Sequence, residues 1–131
     1  MQPPLFFNSG NAAAQAISGS TEVVVATLNG VVTPLGANQT VSLFGQAFIT
    51  TGTTTTAVVV RIRRGSLTGT LVGDQTGQPV VAAAGSSNIY EANATDTPGD
   101  VTGFTYVLTV TDTGGGTGGT SVYATLQAFV S

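Results

Sequence analysis

The chain has 131 residues, of which 41% are hydrophobic and only 7% are charged, and its formal net charge is -3. It contains no cysteine and no histidine, which excludes disulfides, thiolate metal sites and a histidine general base. Three cations are too few for a broad contact with phosphates, so we expect no nucleic-acid partner. A surface with so little charge repels copies of itself only weakly, which favours a protein that associates with other proteins.

The N-terminal segment, MQPPLFFNSGNAAAQAISGS, lacks the basic and long apolar parts of a secretory signal peptide. No run in the chain approaches the roughly 18 apolar residues that span a membrane as a helix, so we expect no membrane partner. We predict that residues 1–20 form an extended arm, in which Leu5, Phe6 and Phe7 anchor the segment on a neighbouring subunit. Only NAAAQAI, residues 11–17, has the composition of a helix, and it is short.

The rest of the chain, residues 21–131, alternates apolar and polar residues with a period of two, which predicts one domain of short β-strands. The predicted strands cover residues 22–28, 40–50, 57–64, 67–72, 79–84, 88–92, 104–111 and 121–130. About eight strands with regular turn signals indicate an all-β, jelly-roll-like antiparallel sandwich. The lack of cysteine and tryptophan removes the core hallmark of immunoglobulin domains.

Two predicted strands carry large apolar side chains on both faces. Phe44 and Phe48 project from the strand TVSLFGQAFIT on the side that otherwise carries polar residues. Tyr123 and Phe129 do the same in SVYATLQAFV. Such a face is covered either by a loop or arm of the same chain or by another subunit, and aromatic residues with polar neighbours are typical of subunit interfaces.

All three cations, Arg61, Arg63 and Arg64, lie in the single strand AVVVRIRR. Alternation places Arg61 and Arg63 on the face away from the core. Two interpretations stay open for this pair. They form cross-strand ion pairs with carboxylates such as Glu91 or Asp96, or their planar guanidinium groups anchor a contact with another subunit.

The residues available for catalysis are few. With no histidine, cysteine or lysine, the six carboxylates remain, and all are predicted to lie in or beside turns rather than in pairs across a cleft. We therefore predict no catalytic residue, no cofactor and no enzyme activity.

Two motifs resemble ligand sites only superficially. GGGTGG, residues 114–119, has the spacing of a phosphate-binding glycine motif, but a strand follows it where a helix is needed. DTPGD, residues 96–100, offers only Asp96 and Asp100 to a Ca²⁺ ion that takes six to eight oxygen ligands. We predict a Pro-Gly turn there and no metal site.

The stretch VVVRIRRGSLTGTLVGD, followed after a loop by ATDTPGDVTGFTYVLTV, resembles small jelly-roll proteins of tailed-bacteriophage virions. These are trimeric decoration, head-spike and fibre-tip domains related in fold to tumour necrosis factor. The resemblance extends over residues 20–130 and consists of a basic strand, a short apolar hairpin, an Asp-Thr-Pro-Gly turn and an alternating aromatic strand. It implies a homotrimeric, non-enzymatic virion component with no catalytic residue.

Together these features predict a capsid decoration protein that binds the outer surface of a phage shell, with a major capsid protein or another virion protein as its partner. We expect it in the virion, assembled in the host cytoplasm. One alternative is a fibre or spike tip that binds a host receptor through loops 50–56 or 113–120, and another is a cell-surface or extracellular filament subunit. The candidate contact residues are Leu5, Phe6, Phe7, Phe44, Phe48, Arg61, Arg63, Tyr123 and Phe129.

Overall fold

The structure is a computed structural model of the chain, and it describes residues 5–11, 14–17, 21–31, 39–53, 56–74, 80–99, 103–113 and 119–131. In these ranges the chain forms β1 (Leu5–Gly10), β2 (Gln15–Ile17), β3 (Val23–Val31), β4 (Val41–Thr50), β5 (Thr56–Arg64), β6 (Thr70–Asp74), β7 (Val80–Ala82), β8 (Ser87–Asp96), β9 (Phe104–Asp112) and β10 (Thr120–Val130). Within the same ranges we find no helix long and apolar enough to span a membrane.

The strands form two antiparallel sheets packed face to face. Sheet A has the order β1-β10-β4-β8, and β2 pairs with β10 beyond the end of β1. Sheet B has the order β3-β9-β5-β6, and β7 also pairs with β5. When β1 and β2 count as one edge strand, and β6 and β7 as another, the two sheets interleave in chain order as in a jelly roll. The predicted all-β, jelly-roll-like sandwich is confirmed.

Each predicted strand corresponds to one of β3 to β10, with ends that differ by a few residues. The largest difference is in β8, which was predicted to end at residue 92 and continues to Asp96. Buried and exposed residues continue to alternate there. Ala92 and Asp96 are buried, whereas Asn93 and Thr95, which lie between them, face outward.

The described part of residues 1–20 belongs to the chain's own sandwich. Strand β1 pairs with β10 from Leu5 opposite Val130 to Gly10 opposite Thr125, and Leu5 and Phe7 pack against the core. Gln15–Ile17, the end of the one segment with the composition of a helix, form β2 because their backbone completes the edge of the same sheet. Docking of this segment on a neighbouring subunit stays a prediction, and the remaining residues of 1–20 lie outside the described ranges.

One side chain bridges the gap between β1 and β2. Asn11 donates from Nδ2 to the carbonyl oxygen of Val122 at 3.0 Å, and its Oδ1 accepts from the backbone N–H of Ala124 at 2.7 Å. The amide group thus takes the place of a backbone peptide in the β10 ladder. Both β10 groups are satisfied although the edge strand is interrupted there.

The core lies between the sheets and consists of the inward-facing side chains of both. Its largest fully buried members include Tyr106, Leu43, Ile49, Ile62, Leu108 and Leu126. Leu108 of β9 packs directly under β4 because position 45 is glycine: a Cβ at Gly45 would lie 2.6 Å from Leu108 Cδ1. A Cβ at Gly73 of β6 would lie 2.5 Å from the Cβ of Ala94 in β8, so the two sheets meet closely along this edge.

Candidate functional site

The outer face of sheet B carries an ionic cluster, which we call the Glu22 cluster (Glu22, Arg61, Arg63 and Thr109). Arg63 donates to both carboxylate oxygens of Glu22, from Nε at 2.7 Å and from Nη2 at 2.9 Å. The Thr109 hydroxyl donates to Glu22 Oε2 at 2.6 Å, and Arg61 Nη1 lies 3.7 Å from Glu22 Oε1. Arg63 also donates from Nη1 to the carbonyl oxygen of Gly69 at 3.1 Å.

This cluster covers the middle of β9. Thr109 and Val107 point away from the core, yet their exposed fractions are 0% and 4%. Burial raises the pKa of Glu22, but the hydrogen bonds from Arg63 and Thr109 and the charges of Arg63 and Arg61 outweigh it and hold the pKa below its ordinary value. The carboxylate is therefore charged in the folded protein at neutral pH.

A second ionic group, the inter-sheet triad (Arg64, Asp96 and Tyr106), ties the two sheets together. Arg64 of sheet B donates to Asp96 of sheet A from Nε at 2.8 Å and from Nη2 at 2.6 Å. The Tyr106 hydroxyl, inside the sandwich, donates to Asp96 Oδ2 at 2.8 Å. A bidentate guanidinium pair of this kind fixes both distance and orientation, so it holds one end of the sandwich closed.

The triad shifts the titration of each of its members. Burial raises the pKa of Asp96, but the hydrogen bonds from Arg64 and Tyr106 and the charge of Arg64 hold that pKa below its ordinary value. Burial, followed by the hydrogen bond to Asp96 and its charge, raises the pKa of Tyr106. The hydrogen bond to Asp96 raises the pKa of Arg64. The charged pair and the neutral phenol thus stabilise each other.

The structure corrects the predicted partners of the arginines. Asp96 does bind an arginine, but it is Arg64. Arg61 and Arg63 bind Glu22, which precedes β3 and reaches β5 across the intervening strand β9. Glu22 was missed because strand order, not sequence proximity, brings it to them. A contact of Arg61 and Arg63 with another subunit stays a prediction.

Two further carboxylates, Asp112 and Glu91, accept hydrogen bonds from neighbouring side chains. Asp112 is fully buried and accepts hydrogen bonds from the hydroxyls of Thr56 and Thr120, the latter at 2.9 Å. Glu91 lies in the middle of β8, so the expectation that every carboxylate lies in or beside a turn is wrong. In β8 the alternation exposes Glu91, and Gln46 of β4 donates to its Oε1 at 3.2 Å.

The two sequence motifs are only partly described. In DTPGD, Asp96 is engaged by Arg64 and Gly99 has a φ of 76°, which suits the second central position of a type II turn. Asp100 and residues 114–118 of the glycine motif lie outside the described ranges. Among the described residues, no group of three or more acidic, histidine or cysteine side chains is placed to hold a metal ion.

The outer face of sheet A is aromatic and open. The exposed large apolar side chains of its strands are Phe6, Phe44, Phe48, Ile89, Tyr123 and Phe129. They are 38% to 62% exposed, so the described residues of this chain do not cover them. Among the outward-facing strand residues described on this face, Glu91 is the only charged one.

Five of these six side chains form two patches at opposite ends of the face. Phe6 and Phe129 are direct partners in the β1–β10 ladder, and we call them the edge pair. Tyr123 is the partner of Phe48, and Phe48 is the partner of Ile89, so this row crosses β10, β4 and β8; we call it the apolar platform. The two patches are about 20 Å apart along β10.

The platform is the floor of a shallow depression. Asn11, Gln46, Thr125 and the backbone near Ala124 line it together with the three apolar side chains. Phe44 lies nearer the other end of β4, between its ladder partners Gln127 and Asn93. The depression therefore combines an apolar floor with amide and hydroxyl groups at its border.

The nine sequence-predicted contact residues do not form one surface, since Leu5 and Phe7 pack against the core and Phe44 lies outside both patches. Phe48 joins Tyr123 and Phe6 joins Phe129, whereas Arg61 and Arg63 lie on the other sheet. The platform residue Ile89 was not predicted. Extending the strand NIYEA through residues 93–96 adds Asn93 and Thr95 to the face of Ile89 and Glu91, and these polar residues mark that face as the outward one.

No family model matches the chain, and a search of curated proteins gives no significant match. The fold is similar to solved structures from infectious bursal disease virus. The structure of the Gx strain is 16% identical with a TM-score of 0.63, covering 97% of this chain and 32% of that chain. The VP2 subviral particle is 15% identical with a TM-score of 0.63, covering 96% of this chain and 33% of that chain. The structure of T=1 particles of a VP2 mutant is 13% identical with a TM-score of 0.63, covering 96% of this chain and 31% of that chain.

This chain therefore spans about a third of the length of those chains. At these identities the similarity shows a shared sandwich fold.

Proposed function

We propose that this protein is a non-enzymatic structural component of a virus particle, and specifically a decoration protein that binds the outer surface of a phage capsid. The observation that carries the proposal is the edge pair, two exposed aromatic side chains at the edge of a jelly-roll sheet. The similarity in fold to VP2, whose structures are of a subviral particle and of T=1 particles, supports a particle role.

The edge pair has the physical character of a subunit contact. Phe6 is 62% exposed, and its strand β1 has β10 as its one ladder partner among the described residues. The outer side of such an edge strand presents backbone N–H and C=O groups that can pair with another chain. Aromatic side chains beside them supply the apolar area that interfaces concentrate at their centres.

The proposed partners are other copies of this chain, as a homotrimer, and a major capsid protein or another virion protein. A chain with 7% charged residues has little electrostatic repulsion to oppose either association. Arg61 and Arg63 are weaker candidates for the contact because Glu22 already engages both guanidinium groups. The proposed location is the virion, after assembly in the host cytoplasm.

The decisive experiment locates the protein in purified particles by mass spectrometry and electron cryomicroscopy. We expect many copies at capsid symmetry axes, with β1 facing the shell or a neighbouring copy. Copies only at a tail or fibre end would replace decoration by the receptor-binding alternative. Absence from every particle would contradict the virion proposal, and polymerisation of the pure protein into filaments would favour the filament alternative.

A matched pair of variants tests the contact itself. Phe6→Ser should weaken cosedimentation with undecorated shells, because it removes the most exposed aromatic of the edge strand. Ile89→Ser, an equally exposed apolar residue at the opposite end of the same face, is the control and should bind normally. Equal binding by both variants and the unmodified protein would exclude the edge pair as the contact.

A further inference from the structure

The apolar platform is about as wide as a small ligand. Phe48, Ile89 and Tyr123 are 41%, 60% and 49% exposed, and they project from three adjacent strands at one level of the ladder. Adjacent strands are about 4.8 Å apart, so the row extends over roughly 10 Å. Two of the three side chains are aromatic rings, which present wide apolar faces at little cost in conformational entropy.

Polar side chains border this floor on both sides. Toward the edge pair, the next outward row is Thr125, Gln46 and Glu91, in which Gln46 donates one hydrogen bond to Glu91. That bond leaves the Gln46 amide oxygen and the second carboxylate oxygen of Glu91 as further acceptors. Asn11 and Thr125 complete the lining of the depression.

On the other side, the next outward row contains Ser121, Thr50 and Ser87. The hydroxyls of Thr50 and Ser87 lie 3.0 Å apart and form a hydrogen bond. The floor is therefore enclosed between an amide and carboxylate row and a hydroxyl row.

This arrangement complements an uncharged sugar. A pyranose ring has an apolar C–H face and a perimeter of hydroxyl groups that donate and accept hydrogen bonds. When such a ring stacks on the platform, its hydroxyls lie beside the amide and carboxylate row on one side and beside the hydroxyl row on the other. The platform is too small and too poorly cationic for a lipid surface or nucleic acid, and Glu91 would repel an anionic sugar.

We propose that the apolar platform binds a neutral carbohydrate, with a sugar ring stacked on Tyr123 and Phe48 and its hydroxyls hydrogen-bonded to Gln46 and Glu91. The site is at the end of sheet A opposite the edge pair. A particle contact at one end therefore leaves the platform accessible. The proposal does not depend on the particle role.

The full chain can be tested on a printed array of neutral, sialylated and sulfated oligosaccharides. We expect retention of neutral members and none of their sialylated or sulfated counterparts. The best neutral oligosaccharide is then used in saturation-transfer NMR and in calorimetric titrations. Tyr123→Ala and Phe48→Ala should each weaken its binding by about tenfold or more, because each removes a stacking surface.

Phe6→Ala is the matched control, since it removes an exposed aromatic from the same sheet face at the other end. It should bind the oligosaccharide as the unmodified protein does, and unchanged thermal unfolding of all variants shows that the fold is retained. No retention of any neutral glycan would overturn the proposal, as would equal binding by Tyr123→Ala. A self-association that Tyr123→Ala abolishes would overturn it too, because a second copy would then cover the platform. The proposed function is tested separately, by locating the protein in purified particles, and that result does not depend on carbohydrate binding.

Discussion

The outer faces of the two sheets differ in whether the chain covers their outward-facing side chains. On sheet B, the Glu22 cluster lies over β9, so outward-facing Thr109 and Val107 are buried by side chains of the same chain. On sheet A, six large apolar side chains remain exposed and one charged residue, Glu91, lies among the described strand residues of that face. One face is closed by its own hydrogen bonds, and the other is available to a partner.

This contrast explains why every cation is in β5. Arg61 and Arg63 complete the cover of sheet B, and Arg64 reaches across to sheet A to close the end of the sandwich. The described ion pairs of the three arginines are therefore made within the fold, away from the aromatic face of sheet A. We expect substitutions of the ionic groups to change stability and substitutions of the aromatic face to change binding.

The largest loss of stability is expected for Asp96→Ala. This change leaves Arg64 and the buried Tyr106 hydroxyl without their acceptor, and we expect the free energy of unfolding to fall by about 2–4 kcal/mol. Chemical denaturation followed by circular dichroism measures it. A loss below the error of that measurement would show that the triad does not hold the sheets together.

Acid should act on the same groups. The pKa values of Glu22 and Asp96 are both lowered in the folded protein. As the pH falls from the unfolded to the folded pKa values, the unfolded chain therefore binds more protons than the folded one. Their stabilisation is present above about pH 4, the unfolded value, and is lost progressively below it. We expect a lower melting temperature at pH 3 than at pH 7, and a smaller difference between the two in Asp96→Asn. An equal decrease in that variant would assign the acid sensitivity to other carboxylates.

A smaller effect is expected for Glu22→Gln, because the cluster is partly exposed to solvent. Loss of the anion from between Arg61 and Arg63 should lower the free energy of unfolding by about 1 kcal/mol. Glu91→Gln is the matched control on the aromatic face and should be neutral within about 0.5 kcal/mol. Equal losses in both variants would remove the distinction between the two faces.

The smallest effect is expected for Tyr123→Ser. Its side chain is half exposed on the platform, so the free energy of unfolding should change by no more than about 0.5 kcal/mol. Thermal unfolding at several protein concentrations measures this and detects any assembly that depends on the tyrosine. A decrease above 1–2 kcal/mol would show that the aromatic face contributes to the fold of the single chain.

The sequence predicts the strands well because one face of each is buried, and burial imposes a period of two. FTYVLTVT illustrates this, since Tyr106, Leu108 and Val110 all lie in the core as the alternation indicates. The same rule identified Phe48 and Tyr123 as misplaced apolar residues. It does not identify β1, because LFFNSG is a run of three apolar residues followed by polar ones, and only the burial of its side chains alternates.

The contacts between strands were harder to predict. Glu22 and Arg63 are 41 positions apart, and their pairing depends on β3 and β5 both flanking β9. The platform likewise requires Tyr123 and Phe48 to occupy one level of the β10–β4 ladder. Strand order and register are set by the packing of the whole sandwich, so residue patterns within single segments do not contain them.

The Asn11 side chain has a practical consequence for engineering. Its amide continues the hydrogen bonding of β10 between β1 and β2, so the described bonds at this point are made by Asn11 itself, and we expect the connection from Asn11 to Gln15 to accept an insertion. A foreign peptide inserted into that connection would leave the pairing of both strands in place. Since Asn11 lines the depression and lies away from the edge pair, this insertion site is suited to displaying an epitope that leaves the edge pair free.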